Sequence, residues 1–262
     1  MNSPKINEVN RVAFSLLLSF LSERYQESWV LENGCNGAQS ELAPLMLREG
    51  IQVAGLDIDL NWVREKHNKF RSYSNLKVVC GDSHRLPFKE ETFKTVLFIE
   101  VIEHLEEPAL ALQEIYRCLK PEGNLILSTP NALGIWSIAT DKILPFLQSI
   151  ERKIIRNNHF KADSPKHLNV FTLPLLLNQL IASKFKIEKV ISVEGLGIAN
   201  LLYGAYRKYI PHIFGEKKNI KMSFRIYSFL LFLDRGIARL FPLRFHTGWI
   251  ITLEKESSRQ EK

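Results

Sequence analysis

Three apolar runs in the first third of the chain each end in a carboxylate, and this regularity most constrains the fold. The runs close at Glu32, Asp57 and Asp82, at regular intervals of 25 residues. Short apolar runs that alternate with helical patterns predict parallel strands joined by helices. Because the carboxyl ends of parallel strands meet at one edge of a sheet, we expect the three carboxylates to line one crevice.

A glycine turn follows the first of these carboxylates at once. Gly34 and Gly37 permit positive φ angles and a close approach of the backbone to a ligand. In doubly wound folds, an acid at the tip of the second strand can accept hydrogen bonds from ribose hydroxyls, and Asp57 stands there. A Gly-x-x-Gly turn alone also occurs as plain punctuation between a strand and a helix. The turn therefore indicates a nucleoside site only together with the carboxylates that follow.

From Cys80 the chain reads "CGDSHRLPFKEETFKTVLFIEVIEHLEEPALALQEIYRCLKPEGNLILSTPN". With the acid and glycine turn before it, this stretch resembles the class I S-adenosylmethionine-dependent methyltransferases, especially the branch that includes the ubiquinone-biosynthesis O-methyltransferases. The resemblance covers residues 28 to 131, where the motifs occur in the family's order. It implies a methyltransferase whose cofactor is S-adenosyl-L-methionine and whose product is S-adenosyl-L-homocysteine.

The resemblance also implies a role for particular residues at the strand tips. Glu32, Gly34 and Asn36 would surround the amino-acid end of the cofactor, and Asp57 would hold the ribose hydroxyls. Asp82 and Ser83 would contact the adenine, while Glu100 would lie beside the methionine part. The complete cofactor-binding set is Glu32, Gly34, Asn36, Asp57, Ile58, Asp82, Ser83 and Glu100.

The chain departs from the family's pattern at three positions. Asn36 and Ala38 stand where the family usually has the second and third glycines of the turn. Asparagine tolerates left-handed backbone conformations better than most residues, so the turn can form with Asn36. Lys94 stands where the family usually has Asp before the fourth strand.

The alternation of strand and helix patterns predicts an α/β fold, a doubly wound, Rossmann-like, mostly parallel sheet of seven strands with helices on both faces. Helical insertions follow strands 5 and 6. The strands are expected near 28–32, 51–57, 75–80, 94–100, 124–129, 184–194 and 247–254. Pro108 is placed to begin a helix, and residues 120–123 to stop it.

Length and composition fit one domain of 262 residues with 45% hydrophobic content. Its expected parts are an N-terminal helix (1–27), a cofactor-binding core (28–131), a substrate-covering insertion (132–172), a C-terminal part of the sheet (173–254) that contains a basic helical insertion (about 198–245), and a tail (255–262). The apolar runs are too short to span a membrane. Three scattered cysteines suit the cytoplasm, with neither a zinc site nor a disulfide framework.

The positive charge is concentrated in the C-terminal half. Residues 1–140 carry a net charge of −4, whereas residues 141–245 carry +11. Within residues 220–245, apolar and basic residues recur at helical spacing; the apolar ones are Ile226, Leu230, Leu233, Ile237 and Leu240. This pattern fits a core-facing helix with a solvated basic face, a peripheral contact with a membrane surface, or an apolar entrance for a lipid-linked substrate. No nucleic acid is expected as a partner, because the basic residues lack the interleaved stacking arrangement of aromatics and the recognised binding module that would favour one.

Methyl transfer to a hydroxyl requires alignment of the acceptor and removal of its proton. His104 is the first candidate base, because imidazole titrates near neutral pH and this position follows the fourth strand closely. His167 is the second candidate, with a structural role as its alternative. No metal is expected, although Glu100, Glu103 and His104 form an alternative cation site; Glu103 and His104 could instead cap the helix that begins near Pro108.

The sequence thus predicts an S-adenosylmethionine-dependent methyltransferase that methylates oxygen on a small-molecule, saccharide-linked or lipid-linked acceptor. Two alternatives stay open. A nicotinamide-dependent oxidoreductase also joins a glycine turn to an acid, although the Gly-x-Gly-x-x-Gly fingerprint is incomplete. A non-catalytic cofactor-binding or scaffold protein would account for Asn36 and Ala38. The sequence specifies neither the acceptor nor the oligomeric state.

Overall fold

The computed structural model describes residues 13, 15–19, 29–35, 42–132, 134, 168, 169, 171–193, 229, 233, 234, 236–238, 240, 242 and 246–256. The strands are β1 (Val30–Asn33), β2 (Val53–Asp57), β3 (Leu76–Cys80), β4 (Phe93–Ile99), β5 (Leu119–Pro130), β6 (Phe185–Val193) and β7 (Gly248–Lys255). The helices are α1 (Leu42–Arg48), α2 (Leu60–Phe70), a short 3-10 helix (Ile102–His104), α3 (Pro108–Cys118) and α4 (Leu173–Ala182).

The strands form one seven-stranded sheet in the order β3-β2-β1-β4-β5-β7-β6. Strands β1 to β5 pair in parallel, and β7 runs antiparallel to both of its neighbours. This confirms the predicted fold class. The strand order reverses between β1 and β4, and ligands of open α/β sheets bind beyond the carboxyl ends of the strands at such a switch point.

Both faces of the sheet are covered, which is why the central strands contain continuous apolar runs rather than a strict alternation of apolar and polar residues. All four residues of β1 and all five of β2 are buried. Leu31 belongs to the core on the side of α3 and α4, whereas Val30 belongs to the core on the side of α1. Adjacent residues of β1 therefore anchor the sheet to opposite helical layers.

The helix boundaries follow from local chemistry. The Asp59 carboxylate caps α2 by accepting hydrogen bonds from the backbone N–H groups of Asn61 and Trp62, at 2.9 and 3.2 Å. Pro108 begins α3, as predicted. The predicted helix stop at residues 120–123 is correct as the end of a helix, but these residues belong to β5, which begins at Leu119 rather than near 124.

Lys94 explains part of that early start of β5. Its ammonium group donates a hydrogen bond to the carbonyl oxygen of Glu122 at 2.6 Å. Glu122 has a positive φ of 56°, and a side chain at Gly123 would meet the Lys120 carbonyl oxygen at 2.7 Å. Lys94, which departs from the family's pattern, thus stabilises a tight bend at the start of β5.

Most of the expected N-terminal helix (1–27), the insertion (132–172) and the basic segment lies outside the described residues, so the predicted domain boundaries stay predictions. Of the basic segment's apolar positions, Leu233, Ile237 and Leu240 are described and exposed. The core-facing interpretation is wrong for these three residues. Among the described helices, none is both long enough and apolar enough to cross a bilayer.

Candidate functional site

The carboxyl ends of β1, β2 and β4 and the turn after β3 meet at one edge of the sheet. Backbone hydrogen bonds fix this edge: the N–H groups of Gly34 and Cys35 donate to the Leu56 carbonyl oxygen at 2.8 and 3.1 Å. Similarly, Gly81 donates from its N–H to the Asp57 carbonyl oxygen at 2.9 Å. The structure therefore brings the described members of the predicted cofactor-binding set to one edge of the sheet; Asn36 lies outside the described residues.

Glu32 is the most unusual group at this edge. Its side chain is buried, and among the described residues its Oε2 atom has no hydrogen-bond partner. Burial raises the pKa of the Glu32 carboxyl to about 8, while the positive charge of Lys66 acts in the opposite direction. A buried carboxyl oxygen without a partner fits a site that receives a cationic or hydrogen-bonding ligand group, such as the ammonium of an amino acid.

Asp57 and Ile58 offer two different surfaces at the tip of β2. Asp57 is buried, and its Oδ1 accepts the backbone N–H of Asp59 at 2.9 Å, which fixes the orientation of the carboxylate. Ile58 is 73% exposed although it is apolar. A fixed carboxylate beside an exposed apolar surface fits the two parts of a nucleoside, the sugar hydroxyls and the base.

Asp82 and Ser83 form the turn that follows β3. Asp82 Oδ1 accepts hydrogen bonds from the backbone N–H of His84 at 2.8 Å and pairs with its Nδ1 at 2.7 Å. These bonds, the backbone one first, lower the pKa of the Asp82 carboxyl. The turn is therefore held in shape by an acid that stays ionised.

Ser83 forms a hydrogen bond with Asn33, a residue that the sequence did not single out. Its buried hydroxyl donates a hydrogen bond to Asn33 Oδ1 at 2.8 Å. Asn33 is 1% exposed at the tip of β1, and its Nδ2 has no hydrogen-bond partner among the described residues. The available signal was an amide inside an apolar strand, since buried amides require partners.

Glu100 follows β4 in a left-handed conformation with a φ of 54°. Its backbone N–H donates to the Ser128 carbonyl oxygen at 3.1 Å, and its Oε1 accepts the Ser128 hydroxyl at 2.7 Å. A positive φ at a residue that is not glycine is uncommon and often occurs at functional sites. β5 thus fixes both the backbone and the side chain of this strand-tip residue.

Glu103 and His104 lie in the short 3-10 helix after Glu100. Glu103 is 2% exposed, and its Oε2 accepts the Thr129 hydroxyl at 3.1 Å. Burial, followed by the charge of Glu100, raises the pKa of the Glu103 carboxyl to about 8. The His104 side chain is one-third exposed, and its Nε2 lies 3.9 Å from Glu103 Oε1.

The alternative roles of this pair do not match the structure. The residue that precedes α3 is Glu107, which makes no side-chain capping bond, so Glu103 and His104 are not the helix cap. Within the described ranges, no three His, Cys, Asp or Glu side chains converge as a group that could hold a metal ion. Glu100, Glu103 and His104 thus give the cation alternative no support.

The backbone of Glu103 has a further role that the sequence did not reveal. Its carbonyl oxygen accepts hydrogen bonds from the N–H groups of Leu168 and Asn169, both at 2.9 Å. The Asn169 side chain also donates to the Leu105 carbonyl oxygen. The chain immediately after His167 is therefore attached to the segment that carries His104, although His167 itself lies outside the described residues.

This arrangement places the described carboxylates at the switch point of a seven-stranded α/β sheet, where open α/β sheets bind their ligands. Residues 31–127 match the family described as "Methyltransferase domain". A "Probable S-adenosylmethionine-dependent methyltransferase" of Mycolicibacterium smegmatis is 34% identical over 173 residues, which cover 66% of this chain and 58% of that protein.

Two further comparisons agree with the family match. A ubiquinone/menaquinone biosynthesis C-methyltransferase of Desulfotalea psychrophila is 33% identical over 112 residues, 41% of this chain and 42% of that protein. The chain thus spans less than two thirds of either relative. A phosphoethanolamine N-methyltransferase 2 of Haemonchus contortus, solved with S-adenosyl-L-methionine, shares the fold with a TM-score of 0.58 at 15% identity, covering 94% of this chain and 53% of that one.

Residues 31–127 thus match a methyltransferase domain, and the chain is similar to S-adenosylmethionine-dependent methyltransferases. These matches confirm the predicted resemblance, and the cofactor of that family is S-adenosyl-L-methionine. The match over residues 31–127 includes the "EVIEH" stretch and the whole glycine turn, so the nicotinamide-dependent alternative is set aside. The individual contacts of each residue with the cofactor stay predictions.

Proposed function

We propose that this protein transfers the methyl group of S-adenosyl-L-methionine to a hydroxyl oxygen of a small or lipid-linked acceptor. The single observation that carries the proposal is the position of Glu32, Asp57 and the Asp82 turn at one edge of the sheet, with an oxygen of Glu32 that has no partner among the described residues. Glu32 receives the ammonium group of the cofactor, Asp57 the ribose hydroxyls, and the turn after β3 the adenine.

The protein's part in the reaction is mainly alignment and removal of a proton. The bound cofactor supplies a methyl group on a positively charged sulfur, which the acceptor oxygen attacks in line. Glu100, held by Ser128, lies where the methionine part ends, and His104 takes the proton of the acceptor hydroxyl. Burial raises the pKa of the Glu103 carboxyl to about 8, so this neighbour of His104 is largely protonated at neutral pH.

Carbon methylation of a quinone ring is the second candidate. The name of the Desulfotalea psychrophila relative supports it, since that protein is described as a C-methyltransferase of ubiquinone and menaquinone biosynthesis. The two reactions need the same cofactor site and differ in the acceptor atom. Nuclear magnetic resonance of the product separates an O-methyl group from a C-methyl group directly.

The test combines binding and turnover. Purified protein is titrated with S-adenosyl-L-homocysteine by calorimetry, and then incubated with methyl-labelled cofactor and separate aqueous and lipid extracts of cells. We expect binding, transfer of label to one extract, and a loss of affinity of roughly 10- to 100-fold in Asp57→Ala, as for a lost charged hydrogen bond. Asp59→Ala is the matched control, since it removes the cap of α2 and leaves Asp57 in place.

Three outcomes would count against the proposal. Absence of binding would refute the cofactor assignment, and undiminished binding by Asp57→Ala would refute the ribose contact. Binding without label transfer to either extract would favour the non-catalytic, cofactor-binding alternative.

A further inference from the structure

A small cavity lies between α2 and the sheet, beside Glu32. Its volume is about 20 Å³, which is room for about one water molecule. From α2 it is lined by Trp62, Lys66 and Phe70, which recur every four residues and therefore share one face of the helix. The face that α2 turns toward the sheet thus includes a lysine between two aromatic residues.

The two aromatic rings hold the ammonium group of Lys66 close to this cavity. Its Nζ lies 5.0 Å from the centroid of the Trp62 ring and 5.6 Å from that of Phe70. The faces of aromatic rings attract a cation, so they replace part of the water that it would otherwise bind. Partial burial and the nearby Lys69 lower the pKa of Lys66, whereas the charge of Glu32 raises it. The lysine is therefore a cation that is partly removed from solvent and influenced by Glu32.

Glu32 is the acidic group that lines the same cavity. Its buried Oε2 has no hydrogen-bond partner among the described residues, so Lys66 acts on it across the cavity rather than through a direct bond. The third titratable group at the cavity is Cys35, whose thiol stays neutral because burial, followed by the charges of Glu32 and Asp57, raises its pKa. The other described lining residues from α1, β2 and β3 carry no charge and are Ala43, Gly55, Leu76 and Val78. Lys66 is thus the positive charge that faces Glu32 among the described residues of the cavity.

The charge state of Glu32 matters for the proposed cofactor site, because an ammonium group binds a carboxylate more strongly than a neutral carboxyl group. A carboxyl with a pKa of about 8 is ionised in only about one molecule in ten at pH 7. Each further unit of increase in the pKa would lower this fraction about tenfold. A positive charge nearby has the opposite effect, since it favours the ionised form.

We propose that Lys66 is a positioning residue of the cofactor site: across the cavity, its charge favours the carboxylate form of Glu32, which receives the ammonium group of S-adenosyl-L-methionine. This inference rests on the proposed function, because it assumes that Glu32 binds that ammonium group. Lys66 acts through Glu32 and does not itself need to touch the cofactor. Two charged neighbours on α2, Lys69 and Glu65, act on Lys66 with opposite signs.

The test is the pH dependence of S-adenosyl-L-homocysteine binding by the full-length protein, measured by calorimetry from about pH 6 to pH 9. Lys66→Met removes the charge and keeps an unbranched side chain. We expect this variant to bind about threefold or more weakly than the unmodified protein at pH 7. The ratio of the two affinities should shrink toward one at about pH 9, where Glu32 is largely ionised in both proteins. Titration of the ligand's own amino group cancels from this ratio.

The matched control is Lys69→Met, since the Lys69 Nζ also lies over the Phe70 ring, at 5.3 Å, but this residue does not line the cavity. It should change the affinity by less than about twofold at every pH, because an exposed charge is screened by solvent. Lys66→Arg keeps the positive charge and should keep the pH profile of the unmodified protein. Circular dichroism checks the fold of each variant, and Lys66→Gln replaces Lys66→Met if the latter does not fold.

A second measurement needs no cofactor. The stability that a protonated Glu32 contributes is lost as the pH rises through its folded pKa of about 8. Removal of the Lys66 charge raises this folded pKa further, so in Lys66→Met the fall of stability should continue above pH 8. Urea denaturation of the free protein measures it, with Lys69→Met again as control.

Several results would overturn the role of Lys66. A loss of affinity in Lys66→Met that is equal at every pH would make the residue purely structural, and unchanged binding would give it no role at the site. Equal effects of Lys66→Met and Lys69→Met would show that only the total charge of α2 matters. Absence of binding by the unmodified protein at every pH refutes the cofactor site itself, and the proposal with it; urea denaturation then shows separately whether Lys66 acts on Glu32.

Discussion

The partial exposure of His104 and its position after Glu100 suit a general base. It follows Glu100 by four residues, and its ring is one-third exposed beside the buried Glu103. We expect His104→Gln to reduce turnover by about 10²- to 10⁴-fold, the range typical of a general base, and to leave the affinity for S-adenosyl-L-homocysteine within about twofold. Turnover is measured with methyl-labelled cofactor.

The control for His104 is His84→Gln, which changes a histidine that pairs with Asp82 at the adenine end. It should affect cofactor affinity more than the chemical step. Normal turnover in His104→Gln would show that another residue, or none, removes the proton.

The bond between Ser83 and Asn33 allows a second prediction at the residue scale. Ser83→Ala leaves the fully buried Asn33 without its partner, and this should lower the free energy of unfolding by about 1–3 kcal/mol. The double variant Asn33→Leu/Ser83→Ala removes both polar groups and should be more stable than Ser83→Ala. Urea denaturation measures the free energy of unfolding of each variant, and Ser183→Ala, at a half-buried position, is the control. If the losses of stability from the changes at Asn33 and Ser83 are strictly additive, the two residues do not interact.

Residue types explain which parts of the site the sequence predicts. Glu32, Asp57 and Asp82 are visible because each ends an apolar run, and the structure places all three at one edge. Asn33 and the anchoring carbonyl of Glu103 are invisible in a single sequence. Their importance depends on which buried groups the fold leaves for them to bond, and that is decided by contacts between residues far apart in the chain.

At the scale of elements, the turn after β1 depends on Gly34. Its φ is 83°, and a Cβ there would lie 2.3 Å from Val101 Cγ2. Gly34→Ala should therefore destabilise the protein by about 1–3 kcal/mol, through backbone strain and collision. In a Val101→Ala background the same change should cost less, because the γ-carbons are gone, while the strain of positive φ persists.

The control for this turn is Gly50→Ala, which has a positive φ of 75° but no atom within 4 Å of the added Cβ. It isolates the cost of backbone strain from that of the collision. If Gly34→Ala costs no more than Gly50→Ala in urea denaturation, the contact with Val101 does not constrain the turn.

Local sequence patterns predict the strands but not every strand boundary. The apolar runs predict all seven strands to within a few residues, except that β5 begins at Leu119, about five residues before the expected 124. The residues Lys120-Pro121-Glu122-Gly123 have the chemistry of a helix stop. They enter the strand because Lys94 binds the Glu122 carbonyl oxygen and β4 pairs with β5 on either side of them, at Leu119 and Asn124, which is a tertiary effect.

At the scale of the whole molecule, the raised pKa of Glu32 links stability to pH. An acid whose folded pKa is raised from 4.5 to about 8 holds its proton in the folded state while the unfolded chain has lost it. Stability is thus highest below pH 4.5 for this group and falls as the pH rises to 8, by up to about 1.4 kcal/mol per pH unit.

Glu32→Gln should flatten this fall between pH 5 and 8, measured by urea denaturation at four pH values. Glu103→Gln should do the same, because the pKa of Glu103 is also raised to about 8. Glu107→Gln, at an exposed position, is the control. A slope unchanged by Glu32→Gln would show that this carboxyl is ionised throughout the range and has a partner in solution.

The sheet is the part of the molecule that the sequence predicts best. Two-sided burial makes its strands continuous apolar runs, and the crossover rule then leaves few topologies open. The C-terminal half of the chain is predicted less well. In residues 220–245 the apolar positions at helical spacing predict a helix, but the spacing is the same whether those side chains face the core or the solvent. The exposure of Leu233, Ile237 and Leu240 in the structure distinguishes these two orientations.

The central claim is that the tips of β1 and β2 and the turn after β3 together hold S-adenosyl-L-methionine. A crystal structure of the complex with S-adenosyl-L-homocysteine tests it most directly. We expect ribose hydroxyls within hydrogen-bond distance of Asp57, the adenine against Ile58 and Ser83, and the ammonium group at Glu32. A ligand bound at any other edge of the sheet, with Asp57 contacting only its own loop, would contradict it.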